Sequence, residues 1–213
     1  MNVAAHSRQK SWTPVAEADA LERFERLVIE QAPAVPWAPV TDYSWEAREL
    51  IEAPHADRIV STFHPVHVLD FGCGPGHLVR LLRERGVSVS GYEPQRDGAG
   101  QFYWSDVDYD LVICREVLEH VELRQYLSVV GRICRLAETW LYITTRFHPQ
   151  PDHFLDVATS DDLDPTHITL PNQDFLRVLI VLQGFVRDRE KEAAMDWMHK
   201  GRVLVYKRCT TPS

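Results

Sequence analysis

The stretch VLDFGCGPGHLVRLL (68–82) decides how this chain is read. An apolar run, VHVLDFG (66–72), carries Asp70 near its end and is followed by glycines at 72, 74 and 76. HLVRLLRERG (77–86) then shows helical periodicity and stops at a glycine, as helices commonly do. Strand, glycine turn and helix in that order belong to an open α/β sheet. There, ligands bind beyond the carboxyl ends of the strands, where the strand order reverses. Glycine lets the backbone take positive φ and approach a ligand closely, and the helix start adds N–H groups and a positive dipole end. A dinucleotide turn wants G-x-G-x-x-G. Counted from Gly72, the sixth place of that pattern is His77, so a pyrophosphate ligand and a nicotinamide dehydrogenase are disfavoured.

Working outward, VSVSGYE (87–93), DLVIC (110–114) and TWLYITTR (139–146) read as further strands. EVLEHVELRQYLSVVGRICRLA (116–137) and the segment 171–183, closed by Gly184, read as helices. FVRDRE (185–190) and RVLVYKR (202–208) are two last strands joined by a short link, which predicts an antiparallel edge pair. Strands alternating with helices predict an α/β, Rossmann-like, doubly wound and mostly parallel sheet with an antiparallel C-terminal strand. Upstream, 14–31 reads as an amphipathic helix with Leu21, Phe24, Leu27 and Val28 on one face, followed by the proline-rich APAVPWAP (32–39). A second helical stretch starts near Ser44, is interrupted at Pro54 and stops before Pro65. The boundaries are an N-terminal helical lid or extension, 1–63, and a ligand-binding domain, 64–213.

Composition bounds the classes. The chain has 213 residues, 45% hydrophobic and 25% charged, which suits one soluble domain with a real core. Lys and Arg number 23 against 31 Asp and Glu, giving a net charge of −8, which argues against a general nucleic-acid groove. No apolar run is long enough for a membrane span, and MNVAAHSRQKSW lacks the apolar core of a secretory signal. Cys73, Cys114, Cys134 and Cys209 are scattered without a CxxC pair, so neither a disulfide framework nor a zinc site is expected, and a reducing cytoplasm is the expected home.

The glycine turn, with its G-x-G-x-G spacing and preceding acid, resembles motif I of class I S-adenosylmethionine-dependent methyltransferases, of the small-molecule type. Three further markers follow in order. Glu93 closes the second strand, where an acid accepts from both ribose hydroxyls. YDLVICREVLEHV (109–121) is similar to the family's fourth strand and following helix, and THITLPNQDFLRVLIVLQGF (166–185) to a late segment in which a Thr-His pair precedes a helix and a Gly-Phe. The likeness covers about 64–208. It implies S-adenosylmethionine as cofactor and S-adenosylhomocysteine as product. Asp70, Gly72, Cys73, Gly74 and Gly76 would cradle the amino-acid part of the cofactor, with Asp70 acting through the loop or a water on the ammonium. Glu93 would take the ribose, and Arg115 and Glu116 would face the methionine end and the substrate.

One segment departs from the family. PQRDGAGQFYWSDVDY (94–109) is too short for the helix, strand and two turns expected there. The helix is predicted lost, with QFYW (101–104) forming a short edge strand or a bare crossover. The resemblance implies an acid near the adenine amino group; Asp106 is the nearest candidate and Asp108 the second, with stacking on Phe102, Tyr103 or Trp104 as the alternative. The exposed edge left there suits pairing in a homodimer.

Methyl transfer needs alignment and, for an alcohol or phenol, a base. Glu116 and His120 stand at i and i+4, one face of the predicted helix, so His120 is a candidate base oriented by Glu116. The loop 146–168 follows the last central strand at its carboxyl end and contributes His148 and His153 as further candidates. His148, His153, Asp156, Asp161, Asp162, Asp164 and His167 fall at no recognisable metal-ligand spacing, so no metal site is assigned. The expected function is methyl transfer to an oxygen or nitrogen of a small-molecule acceptor. The alternatives are a protein or peptide acceptor, and a non-catalytic S-adenosylmethionine-binding partner or sensor.

Overall fold

The computed structural model describes residues 45–93, 108–149, 155–157, 166–198 and 201–209. Its centre is a six-stranded sheet. β1 (His67–Phe71), β2 (Ser88–Tyr92), β3 (Tyr109–Arg115) and β4 (Ala137–Thr144) run parallel, in the spatial order β2-β1-β3-β4. β7 (Phe185–Arg187) and β8 (Val203–Arg208) pair antiparallel, and β8 joins β4 antiparallel to complete the order β4-β8-β7. A separate two-stranded sheet pairs β5 (Leu155–Val157) with β6 (Thr169–Pro171). β1 has β2 on one side and β3 on the other, so the reversal of strand order falls at the carboxyl end of β1.

The strands are apolar on both faces because both faces are covered. Along β1 and β3, Leu69, Phe71, Val112 and Cys114 enter the core shared with α3 (Leu123–Leu136) and α4 (Gln173–Leu182). Val68, Leu111 and Ile113, one residue out of step, enter the core shared with α1 (Trp45–Phe63) and α2 (His77–Glu84). On that second face the run turns polar only at the carboxyl ends, at Asp70, Arg115 and Thr144. The opposite end of the sheet is closed by Asp110, whose two carboxylate oxygens accept from the N–H groups of Val66 (2.7 Å) and His67 (3.0 Å).

Three expectations are corrected. Pro54 does not interrupt the second helix: α1 runs unbroken through it. An internal proline costs a helix about 3 kcal/mol. Here fully buried Ala56 and Ile59, and Glu52 and His55 bonded to the sheet, hold both sides of it in place. The helix predicted over 116–137 begins only at Leu123, after a 3-10 turn at Leu118–His120. The link between the last two strands contains α5 (Arg189–Met195), capped by Asp188, whose side chain accepts from the Lys191 N–H. The β5–β6 pair was not foreseen. The helix over 14–31 and the shortened segment 94–107 lie outside the described residues. No helix among the described residues is long and apolar enough to cross a membrane.

Among the described glycines, Gly72 is the most tightly packed. At φ 79° its Cβ would lie 2.2 Å from Val117 Cγ2. Gly86 has nearly the same φ, 82°, with nothing near its Cβ position. Gly86→Ala is therefore expected to lose only the conformational cost, about 1 kcal/mol. Gly72→Ala is expected to lose that plus an overpacking cost of about 1–3 kcal/mol. Denaturant unfolding of the two variants side by side measures the difference.

Candidate functional site

The turn after β1 is tied to the end of β2. The N–H groups of Gly72 and Cys73 both donate to Tyr92 O (2.7 and 3.0 Å), and the Gly74 N–H donates to Glu93 Oε2 (2.9 Å). Gly72, Gly74 and Gly76 all have positive φ. A Cβ at Gly74 or Gly76 would meet nothing within 4 Å, so beyond Gly72 the turn borders open space. Gly76 caps α2 without a side chain, which leaves the first-turn N–H groups of the helix at the mouth of the turn.

Behind the turn lies a buried cluster of charge. Arg115, the last residue of β3, donates from Nη1 and Nη2 to Glu52 Oε2 and Oε1 (2.8 and 3.1 Å), which pins α1 to the carboxyl end of the sheet. Asp70 is only 4% exposed. Burial pushes its carboxyl up to about 7; the Arg115 cation opposes that shift and the Glu52 and Glu93 carboxylates add to it. Beside this cluster His55 is sandwiched between Tyr142 and Trp197. The Trp197 indole donates to His55 Nδ1 (3.3 Å), so the imidazole proton is on Nε2, 3.1 Å from Tyr142 Oη.

Past β3 the chain turns sharply. Glu116 has φ 50°, a strained value for a residue with a Cβ, and its N–H donates to Thr144 O (2.8 Å). Its carboxylate accepts from Arg202 Nη1 (2.9 Å). Val117 then closes on Gly72. Glu119 is fully buried, and its Oε2 accepts from Thr145 Oγ1 (2.8 Å). Burial, then the neighbouring Glu116 charge, pushes its carboxyl up to about 8. His120 Nδ1 is 2.9 Å from Thr166 O. A carbonyl only accepts, so Nδ1 carries the proton and Nε2 the lone pair. The Ile168 N–H donates to Glu119 O (2.8 Å) and Thr169 Oγ1 to Val121 O (2.7 Å), which holds the His167 segment against this turn.

Of the residues proposed from sequence, the structure brings Asp70, Gly72, Cys73, Gly74, Gly76, Glu93, Arg115 and Glu116 together at the carboxyl ends of β1, β2 and β3. His120 lies one short turn further on. It does not share a helix face with Glu116, because the positive φ of Glu116 and the 3-10 turn replace the expected helix. His148 is buried, with its N–H on Pro171 O (2.9 Å). Asp106 and His153 lie outside the described residues. Glu52, Arg202 and Glu119 were not singled out. Glu119 is visible inside EVLEH, whereas no spacing rule links Glu52 or Arg202 to the turn.

Two stability measurements follow. Asp70 ionises near 3.8 in the unfolded chain and near 7 in the folded one, so its ionisation costs stability as pH rises across that window. Asp70→Asn is expected to gain on the wild type between about pH 4 and 7, with the difference flat above, in urea unfolding at stepped pH. Glu52→Ala strands the buried Arg115 cation and is expected to cost about 3–5 kcal/mol in the same assay.

Residues 42–188 match the family model described as a methyltransferase domain. No curated protein matches the chain by sequence. Among solved structures, the N-terminal domain of EvdMO1 with SAH bound superposes with a TM-score of 0.53 at 15% identity, covering 89% of this chain and 97% of that one. The 1,6-didemethyltoxoflavin-N1-methyltransferase of Burkholderia thailandensis, with bound 1,6-didemethyltoxoflavin and S-adenosylhomocysteine, gives 0.52 at 14% identity over 99% of both chains. A SAM-dependent methyltransferase from Archaeoglobus fulgidus gives 0.52 at 16% identity, covering 78% of this chain and all of that one. These structures share the fold. The family model spans more than half of the sequence, and the chain belongs to the methyltransferase-domain family.

Proposed function

We propose that the protein transfers a methyl group from S-adenosylmethionine to an oxygen or nitrogen of a small-molecule acceptor. The observation that carries this reading is the turn at Gly72–Gly76, open on its outer side and joined to Glu93 through the Gly74 N–H, at the point where strand order reverses. The residues fit the cofactor. Gly74 and Gly76 leave the backbone bare for close approach, Glu93 would supply a carboxylate for the ribose hydroxyl pair, and Asp70 is the acid proposed to act on the ammonium through the loop or a water. Arg115 and Glu116 border the methionine end, and Asp106 is kept as the proposed adenine acid. Two of the structural neighbours were solved with the demethylated product of that cofactor, one of them also with its small-molecule acceptor, which supports the acceptor class.

When bound, the cofactor supplies a methyl group already activated on a sulfonium, so the protein's work is alignment and proton handling. His120 is the favoured proton acceptor, because Thr166 O fixes its tautomer and leaves the lone pair on Nε2. His148 and His153 remain the other proposed bases. The N-terminal extension 1–63 is read as the cover of the acceptor pocket, and α1, its described part, is held at the site end by the Glu52–Arg115 bridge.

Calorimetric titration tests the reading. S-Adenosylmethionine and S-adenosylhomocysteine are expected to bind the wild type, with Glu93→Ala weakening both by tenfold or more, about 1.4 kcal/mol. A folded wild type that binds neither contradicts it. If the cationic cofactor favours ionised Asp70, its affinity rises from pH 6 to 8 with proton release, and Asp70→Asn flattens that rise.

A further inference from the structure

We propose that Glu119, His120 and His167 form a divalent cation site beside the acceptor position. One ligating atom from each lies within 4.8 Å of the other two, and this is the group of that kind among the described residues. Two imidazoles and one carboxylate are the donor set of a catalytic zinc or related borderline cation rather than of magnesium or calcium. A tetrahedral ion with bonds of about 2.0–2.2 Å needs donors roughly 3.3–3.6 Å apart, so the three side chains close on it by about an ångström.

Three independent features point to a ligand rather than to chance proximity. Glu119 is fully buried, its Oε1 meets no hydrogen-bond donor, and the side chain set against its carboxyl is another acid, Glu116. A buried carboxylate oxygen left in that condition is costly unless a proton or a cation meets it. The surrounding bonds are those that orient metal ligands. Thr145 Oγ1 donates to the other oxygen of Glu119, and His120 Nδ1 donates to Thr166 O, which fixes the orientation of the ring. Finally, the two parts of the site are joined before any ion arrives, by the Ile168 N–H on Glu119 O and the Thr169 hydroxyl on Val121 O. The Glu116 carboxylate next to Glu119 adds negative charge opposite a dication.

The site deepens the methyltransferase reading and rests on it for its role. With a cation present, Nε2 of His120 is a ligand instead of the proton acceptor. An acceptor hydroxyl in the open coordination position becomes more acidic and loses its proton to water, and the resulting alkoxide or phenoxide oxygen forms the bond to the methyl carbon as the carbon–sulfur bond breaks. This favours a hydroxyl-bearing acceptor over an amine.

The test uses the full chain with Co2+ or Zn2+ alone, by equilibrium dialysis and, for Co2+, by visible ligand-field absorption. The expected result is one ion per chain, with affinity reduced at least tenfold in His167→Ala and in Glu119→Gln, and unchanged in Cys209→Ser, which removes an exposed thiol. Half-buried His167 is the safer substitution, and it decides the matter alone if Glu119→Gln fails to fold. No binding by the wild type overturns the site, as does equal binding by wild type and His167→Ala, or loss of the ion only in Cys209→Ser. S-Adenosylhomocysteine titrated into the same samples separates the two claims. Cofactor binding without cation binding removes only the metal site, and the reverse removes only the cofactor reading.

Discussion

The contact between Gly72 and Val117 governs the site. There is no room for one carbon atom between them, so the turn after β1 presents bare backbone at Gly72, which also takes positive φ, where a side chain would otherwise stand. The same contact places the segment after β3. Val117 is followed by the 3-10 turn that holds Glu119 and His120, and preceded by Glu116 in its left-handed conformation. A residue with a Cβ is forced into that region at a cost of about 1–3 kcal/mol. The surrounding bonds, from Glu116 N–H to Thr144 O and from Arg202 to the Glu116 carboxylate, hold it there.

Electrostatics follows from the same arrangement. The sheet is apolar on both faces until its carboxyl ends, and the polar residues that appear there are drawn into one buried region. Asp70, Arg115 and Glu52 share it with Glu93 and Tyr142. Two carboxyls, Asp70 and Glu119, are held toward their neutral forms by burial. A site built this way is poised for positive charge: an ammonium or sulfonium near the glycine turn, and a cation near Glu119. Each would restore the ionised form that burial disfavours.

Much of this was legible in the sequence, for identifiable reasons. Parallel strands buried on both faces announce themselves as short apolar runs, and the glycines at 72, 74 and 76 punctuate the first crossover, so the succession of β1 to β4 along the chain and the antiparallel β7–β8 pair could be read directly. The turn acids Asp70 and Glu93 were legible because they lie at strand ends. Failures came where tertiary contacts override local preference. Pro54 reads as a break, yet the Glu52–Arg115 bridge and the His55–Tyr142 contact hold the helix through it. EVLEH reads as helix, yet the packing of Val117 on Gly72 bends it. Glu52, Arg202 and His167 come from distant parts of the chain, and no spacing rule relates them to the turn. The sequence separation of 46 between His120 and Thr166 hid the cluster from any short motif.

The central claim is that the turn at Gly72–Gly76 is a cofactor cradle in which Glu93 exchanges a backbone amide for a ribose. Amide-resolved NMR during titration with S-adenosylhomocysteine tests it most directly, since the chain has only ten glycines to assign. The account predicts saturable shifts at Gly72, Gly74 and Gly76, largest at Gly74, where the bond to Glu93 would be redistributed. Saturable binding that leaves these three amides unmoved would contradict it.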